Sequence, residues 1–305
     1  MTYHHGMRRF QFICIAAVVV ALLFAAAGPV LIAEGSLHIA NRPHADAQAA
    51  AYYARRWDAQ WRDATITAPD GVRLAAWYFM PAEFNGGAVL LLHGIADTRL
   101  GVTAPAELLT RAGYAVLLPD SRGHGASGGD LVTYGLAEAR DAAQWPHWLA
   151  IQSGVERTYA LGESLGAAVA IQSLVFDPGF RAIVAECPFA RFDEIAVYRV
   201  AQRVFGLHVF ARPLVSLASL YAEERYGVNL MRISPLEALR GSHTPVLLIH
   251  GTADRNIPPS QSRELAAANR RYTELWLVPG AVHTGALAAE PGEYRSRVRD
   301  WFASH

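Results

Sequence analysis

Two stretches of the chain have the spacing Gly-x-Ser-x-Gly: Gly162-Glu163-Ser164-Leu165-Gly166 and Gly125-Ala126-Ser127-Gly128-Gly129. A serine hydroxyl becomes a useful nucleophile only beside a base that takes its proton, with an acid to orient that base and donors to meet the charge that forms. Context separates the two serines. Ser164 directly follows the apolar run Tyr159-Ala160-Leu161 and opens a helix-forming stretch through Ala167, Ala168, Val169 and Ala170. That strand–turn–helix setting lifts a serine above a sheet at a helix amino terminus, whose dipole favours developing negative charge. The bland alternative for Ser164 is an ordinary helix N-cap. Ser127 lies in Gly123-His124-Gly125-Ala126-Ser127-Gly128-Gly129, too rich in glycine to start a helix, and reads as a loop serine.

A base and an acid should follow in the chain order serine, acid, histidine. After the apolar run Val246-Leu247-Leu248-Ile249 comes His250-Gly251-Thr252-Ala253-Asp254, and after Leu275-Trp276-Leu277-Val278 comes Pro279-Gly280-Ala281-Val282-His283. Asp254 and His283 thus fall on successive loops at the sheet edge that carries Ser164. Of 12 histidines only His283 and the terminal His305 follow the last strand. Asp193 or Glu237 could orient the base instead, leaving Asp254 as a turn residue. The two donors are assigned by position to the backbone N–H of Leu165, just after the serine, and of Ile95 in His93-Gly94-Ile95, with Ala96 a near alternative. His93 and His250 read as braces for their loops. This set supplies nucleophile and base without a metal or organic cofactor, and none is expected.

The elements that must position these groups follow from the pattern of apolar runs. Thr65-Ile66-Thr67 and Val72–Met80 read as a hairpin turned at Asp70-Gly71. Short apolar runs at Ala88–Leu92, Tyr114–Leu118, Tyr159–Leu161, Ala182–Ala185, Pro245–Ile249 and Glu274–Val278 read as strands buried on both faces. Helices are expected at Thr103–Ala112, Leu136–Ala150, Leu165–Phe176, Gln261–Arg270 and Pro291–Phe302. The result is an α/β class fold, an open and mostly parallel sheet whose reactive groups lie beyond the carboxyl ends of its strands. Residues 189–241 break the alternation with two apolar helical stretches and no strand, as a helical cap inserted over that edge would. Its apolar side chains, among them Phe189, Phe192, Phe210 and Leu217, could line an acyl-chain groove or simply pack the cap onto the body.

Ahead of the body, Phe10–Ala33 holds 24 residues without a charge. As a helix it would reach roughly 36 Å, enough to cross a hydrocarbon core of about 30 Å. Arg8 and Arg9 precede it, so the reading is a short tail over 1–9, a transmembrane anchor over 10–33, a juxtamembrane spacer over 34–61 and the body over 62–305, outside the membrane's cytoplasmic face. Ala25-Ala26-Ala27 keeps a cleaved secretory signal open as the alternative. Across its 305 residues the chain balances 27 arginines, with no lysine, against 27 acids, and 52% of it is hydrophobic. Disorder is excluded by that apolar content, and nucleic acid as a partner by the lack of a basic stripe. Two cysteines, Cys14 and Cys187, cannot build a disulfide framework.

Over residues 62 to 304 the chain resembles the α/β-hydrolase superfamily. The matching pieces are Asp70-Gly71-Val72-Arg73-Leu74 with Trp77-Tyr78, His93-Gly94, Asp120-Ser121-Arg122-Gly123-His124-Gly125, Gly162-Glu163-Ser164-Leu165-Gly166, Asp254 and His283. Within it the chain is most similar to membrane-anchored esterase-like members and to monoglyceride-lipase and serine-aminopeptidase relatives. The resemblance implies a serine hydrolase acting through Ser164, His283 and Asp254 on a small-molecule or lipid-derived ester. Ile95 departs from the further glycines that many esterases carry there. A peptidase or amidase with the same three residues, in which Glu163 or Glu186 could hold a free amine, is the nearest alternative, and a non-catalytic binding protein the more distant one.

Overall fold

In the computed structural model, the described part of the chain comprises residue 15 and residues 27–39, 45–152, 154–203 and 208–305. Eight strands form one sheet: β1 (Ala59–Thr67), β2 (Arg73–Pro81), β3 (Gly87–Leu92), β4 (Ala115–Pro119), β5 (Arg157–Glu163), β6 (Ile183–Glu186), β7 (Val246–Gly251) and β8 (Thr273–Val278). Their order is β1-β2-β4-β3-β5-β6-β7-β8. Only β2 runs antiparallel to its neighbours. The chain leaves β3 toward one edge and β5 toward the other, so the crevice above β3 and β5 is the point where strand order reverses. Ligands of open α/β sheets bind at such a point.

The apolar runs become strands because helices cover both faces. In β3, Ala88, Leu90 and Leu92 pack with one core while Val89 and Leu91 pack with the other. This two-residue alternation continues in β5, where Ala160 faces the first core and Tyr159 and Leu161 face the second. The first core is closed by Ala142, Trp145 and Leu149 of α3 (Glu138–Ile151), by α4 (Leu165–Ser173) and by Leu236 and Leu239 of α7 (Pro235–Arg240). The second is closed by α1 (Ala47–Trp57), α2 (Thr103–Arg111) and Tyr294, Val298 and Phe302 of α10 (Pro291–Ser304). Strand β8 differs from the expectation of burial on both faces: it is the sheet's edge and only Val278 is buried. The helix expected over Leu165–Phe176 ends at Ser173 and tightens into a 3-10 turn over Leu174–Phe176.

The cap is helical as expected, with α5 (Phe192–Arg203), α6 (His208–Tyr226) and α7, and no strand among its described residues. From α5, Tyr198 and Gln202 donate to the carbonyl of Arg255, and Arg199 donates to Asn256. The cap therefore leans on the loop that follows β7.

The segment read as a spacer is instead part of the body. Helix α1 buries Ala50, Ala54 and Trp57, the last with its ring 4.8 Å from Phe79, and β1 already begins at Ala59. Apolar spacing on α1 had been available for burial, and the sheet takes it up. Residues 27–37 are helical, with Ala33 and Leu37 buried. Tyr134 donates to the Ser36 carbonyl, Val132 to the Leu37 carbonyl, and the hydroxyls of Tyr221 and Tyr226 to Glu34. The end of the predicted 10–33 span is thus docked on protein. Its remaining residues, Ile15 apart, lie outside the described ones, and among those described no helix is long and apolar enough to cross a membrane.

One ion pair ties together the loops that follow β3 and β4. Arg99 sets its Nε and Nη2 on Asp120 Oδ2 at 3.0 and 2.6 Å, and both side chains are almost fully buried. Burial alone would raise the Asp120 carboxyl, but Arg99 and the N–H groups of Ala126 and Arg99 hold it below the ordinary carboxylate range. A carboxyl lowered by folding contributes stability in full above its unfolded value of about 3.9, and that contribution is lost as pH falls through the folded value. Replacing Arg99 with Met strands a buried charge and should cost roughly 3–5 kcal/mol in urea unfolding at pH 7, with a smaller difference from wild type at pH 3. A loss under about 1 kcal/mol would contradict this role.

Candidate active site

The site begins with a turn that only small residues permit. A Cβ on Gly162 would collide with the carbonyl group of Gly166, and one on Gly166 would collide with the carbonyl of Leu92. With both absent, α4 lies directly over the ends of β3 and β5. Ser164 sits between them at φ 55° and ψ −114°, a left-handed conformation costly for a residue with a side chain. Its N–H donates to the Glu186 carbonyl at 2.8 Å, which holds the turn to the end of β6. Ala96, Cys187 and Thr284 also have positive φ, at 55°, 53° and 50°. The left-handed turns therefore gather on the loops that surround this serine.

His283 reaches Ser164 from the loop after β8. Its Nε2 is 2.9 Å from Ser164 Oγ and its Nδ1 is 2.6 Å from Asp254 Oδ2. A carboxylate accepts only, so Nδ1 carries the proton and Nε2 is left to accept from the serine hydroxyl. Asp254 comes from the loop after β7, where its Oδ1 accepts the N–H groups of Asn256 and Ile257 at 2.8 and 3.0 Å. Burial would raise its carboxyl, but hydrogen bonds from His250, His283 and Ile257 outweigh it and hold the group far below the usual carboxylate range. The acid therefore stays charged wherever an imidazole changes state, and can stabilise the protonated ring opposite it. Neither Asp193 nor Glu237 takes this place; Glu237 pairs with Arg240 and Arg191.

The fully buried His250 was legible only as a loop brace, and its partners carry no sequence signal. Its Nδ1 lies 2.6 Å from Ser262 Oγ, and its Nε2 is 2.9 Å from the Ile257 carbonyl and 3.3 Å from Asp254 Oδ2. The carbonyl requires a proton on Nε2, and that proton also faces the acid. His93 and His124 serve likewise. Ser121 N–H donates to His93 Nε2, and Ala96 N–H donates to His124 Nε2, so the loops after β3 and β4 are stitched together. Burial first, and neighbouring His124 second, pushes His93 down to about 4, which keeps it neutral. Ser127 is a brace as well, donating to the Asp120 carbonyl and accepting from Ala75 N–H.

The elements that carry the two assigned donors lie next to the serine. Leu165 opens α4, where a first-turn N–H has no partner within the helix. The loop carrying Ile95 passes so close that a Cβ on Gly94 would touch Ser164 Cβ at 3.4 Å. Ala96 N–H, the near alternative to Ile95, is already engaged by His124.

Two further groups complete the surroundings. Cys187, His250 and Asp254 have potential metal-ligating atoms within 4.8 Å of one another. Burial pushes the Cys187 thiol up, its sulfur accepts from Thr284 N–H, and the other two are bonded as described, so the set is committed to holding loops. Glu163 and Glu186 pair across the ends of β5 and β6. Burial, and for Glu163 the nearness of Glu186 and Asp97, raises these carboxyls above their ordinary range. Glu186 is further occupied by Ala286 N–H at 3.0 Å.

A hydroxyl bonded to an imidazole that is bonded to a buried carboxylate can pass its proton inward as it attacks a carbonyl. The comparisons with known proteins bear on the fold and the broad class of chemistry. The family model described as "Serine aminopeptidase, S33" matches residues 85–219, from β3 into α6. The uncharacterized protein Rv2307c of Mycobacterium tuberculosis is 34% identical over 225 residues, 73% of this chain and 72% of its own. The uncharacterized protein YqkD of Bacillus subtilis is 28% identical over 227 residues, 73% of each chain. Among solved structures, Pyrococcus furiosus esterase Pf2001 superposes with a TM-score of 0.69 at 25% identity, covering 87% of this chain and 99% of that one. The chain belongs to the α/β hydrolases, of the esterase and peptidase type, and its central part is similar to the serine aminopeptidase (S33) family.

Proposed function

We propose that this hydrolase cleaves carboxylic esters through an acyl-enzyme on Ser164. The observation that carries this is the bond chain from Ser164 Oγ through His283 to Asp254, at 2.9 and 2.6 Å. Ser164 Oγ attacks the carbonyl carbon while His283 Nε2 takes its proton, and the oxyanion meets the N–H groups of Leu165 and Ile95. Collapse breaks the ester C–O bond, and His283 returns the proton to the departing alkoxide. Water then attacks the acyl group with His283 again as base, releasing the acid and restoring the serine.

The peptidase reading is kept by the name of the family model, and an aminopeptidase needs an anion for the substrate's ammonium group. Glu163 and Glu186, the acids considered for that part, are both shifted toward their neutral forms, which makes them poor anchors. That favours an ester. The uncharged run Phe10–Ala33 behind Arg8 and Arg9 supports a membrane-anchored enzyme with its body on the outer side.

Ser164→Ala should lower kcat for p-nitrophenyl butyrate by roughly 10⁴-fold or more with the fold intact by circular dichroism. Activity near wild type would refute the assignment. Asp254→Asn keeps an oxygen for the Asn256 and Ile257 N–H groups but sets an amide against His283 Nδ1. It should cost about 10⁴-fold in kcat and leave KM nearly unchanged. Aminoacyl-naphthylamides should turn over far more slowly than p-nitrophenyl esters in parallel kcat/KM measurements; the reverse order would establish the peptidase.

A further inference from the structure

Helix α6 of the cap is apolar on the side it shows to solvent. Val209, Phe210, Pro213, Leu217 and Leu220 fall within an arc of about 100° at 3.6 residues per turn. The four large ones among them are between 48% and 73% exposed. The opposite side, Ala211, Leu214, Val215, Ala218 and Ala222, is buried. A continuous exposed stripe of this kind on a folded body marks a surface meant to be covered.

What covers it is indicated by the segment packed alongside. Residues 27–37 run beside α6 in the same direction: a Cβ on Gly28 would lie 3.4 Å from Leu214, and Glu34 accepts from Tyr221 and Tyr226. The start of that segment, preceded in the chain by the uncharged residues from Phe10 onward, is therefore at the same end as the start of α6. Polarity is graded along the pair. Leu31 of the neighbouring segment, three residues before Glu34, is itself 70% exposed, while Glu34, Glu223, Glu224 and Arg225 stand at the far end. Exposed Arg212 lies in the first turns of α6, at the apolar end, where an arginine can reach lipid phosphates while its stem lies along apolar surface. A second copy of the chain would require no such gradient pointing toward the uncharged run.

We propose that the amino-terminal half of α6, through Phe210, Leu217 and Leu220, lies in the interfacial layer of the lipid bilayer entered by the uncharged run that begins at Phe10. The cap then rests on the membrane, and the esters that reach Ser164 are those partitioned into it. This rests on reading Phe10–Ala33 as membrane-seeking and on the esterase assignment, but the two can fail separately from it.

The test uses the full chain in vesicles of phosphatidylcholine and phosphatidylglycerol. An environment-sensitive fluorophore is attached to Leu217→Cys or, as the control on the same helix, Glu224→Cys, each in a Cys14→Ser background; Cys187 is buried and free. Doxyl-labelled phosphatidylcholine should quench position 217 strongly and position 224 little. Equal quenching at both, or none at 217 in vesicle-bound protein, overturns the proposal, as does burial of 217 in detergent-solubilised dimers. Protein that fails to join vesicles overturns the membrane reading with it. In parallel, the Leu217→Glu, Leu220→Glu double variant should keep its turnover of soluble p-nitrophenyl acetate and lose about tenfold or more on a long-chain ester embedded in the vesicles. Equal turnover of the embedded ester contradicts the proposal, whereas a wild-type chain inert toward p-nitrophenyl acetate contradicts the esterase assignment alone.

Discussion

The close approach of α4 to the ends of β3 and β5 is the constraint on which the rest of the molecule depends. Nothing larger than hydrogen fits at Gly162 or Gly166, because Gly166 and Leu92 already occupy the space where a Cβ would go. That contact forces the left-handed turn at Ser164 and puts the hydroxyl at a helix amino terminus, above the point where the strand order reverses. The strain is borne by the burial of α4, whose nine residues are all enclosed, and by ladder hydrogen bonds that run past the strands to Ser164 and Cys187. A turn of this kind persists only where its surroundings over-determine it.

Around this point the polar groups divide into those poised to change charge and those held so that nothing else does. Asp254 is kept ionised by four hydrogen-bond donors, while Glu186 and Glu163, one and two strands away, are moved toward neutrality by burial. His93 is neutral through burial, and its two ring nitrogens lock neighbouring loops. His283 differs from the braces in joining the charged Asp254 to the hydroxyl of Ser164. Carboxyls at the ends of strands in one sheet are thus driven in opposite directions by their surroundings, which is how one site can keep one acid charged and leave others neutral.

Much of this was legible in the residues. The order of strands and helices follows from apolar runs that the sheet buries on both faces, and the spacing of Ser164, Asp254 and His283 after their strands put them on neighbouring loops. Three things were not legible. Strand β8 has the same apolar look as β7, yet edge position depends on pairing across the sheet and leaves it half exposed. Helix α1 and the docked end of residues 27–37 were read as leading away from the body, because amphipathic spacing says that a face will be buried and not against what. The braces that hold the loops, Arg99 to Asp120 across 21 residues and His250 to Ser262 across 12, join residues whose types fit many other roles.

The most direct measurement of the central claim is to label the purified full-length chain with a fluorophosphonate and map the adduct by mass spectrometry. The account predicts a single stoichiometric adduct on the peptide containing Ser164, abolished by replacing His283 with Ala. An adduct on Ser127 or another serine, or none on a folded protein, would contradict it.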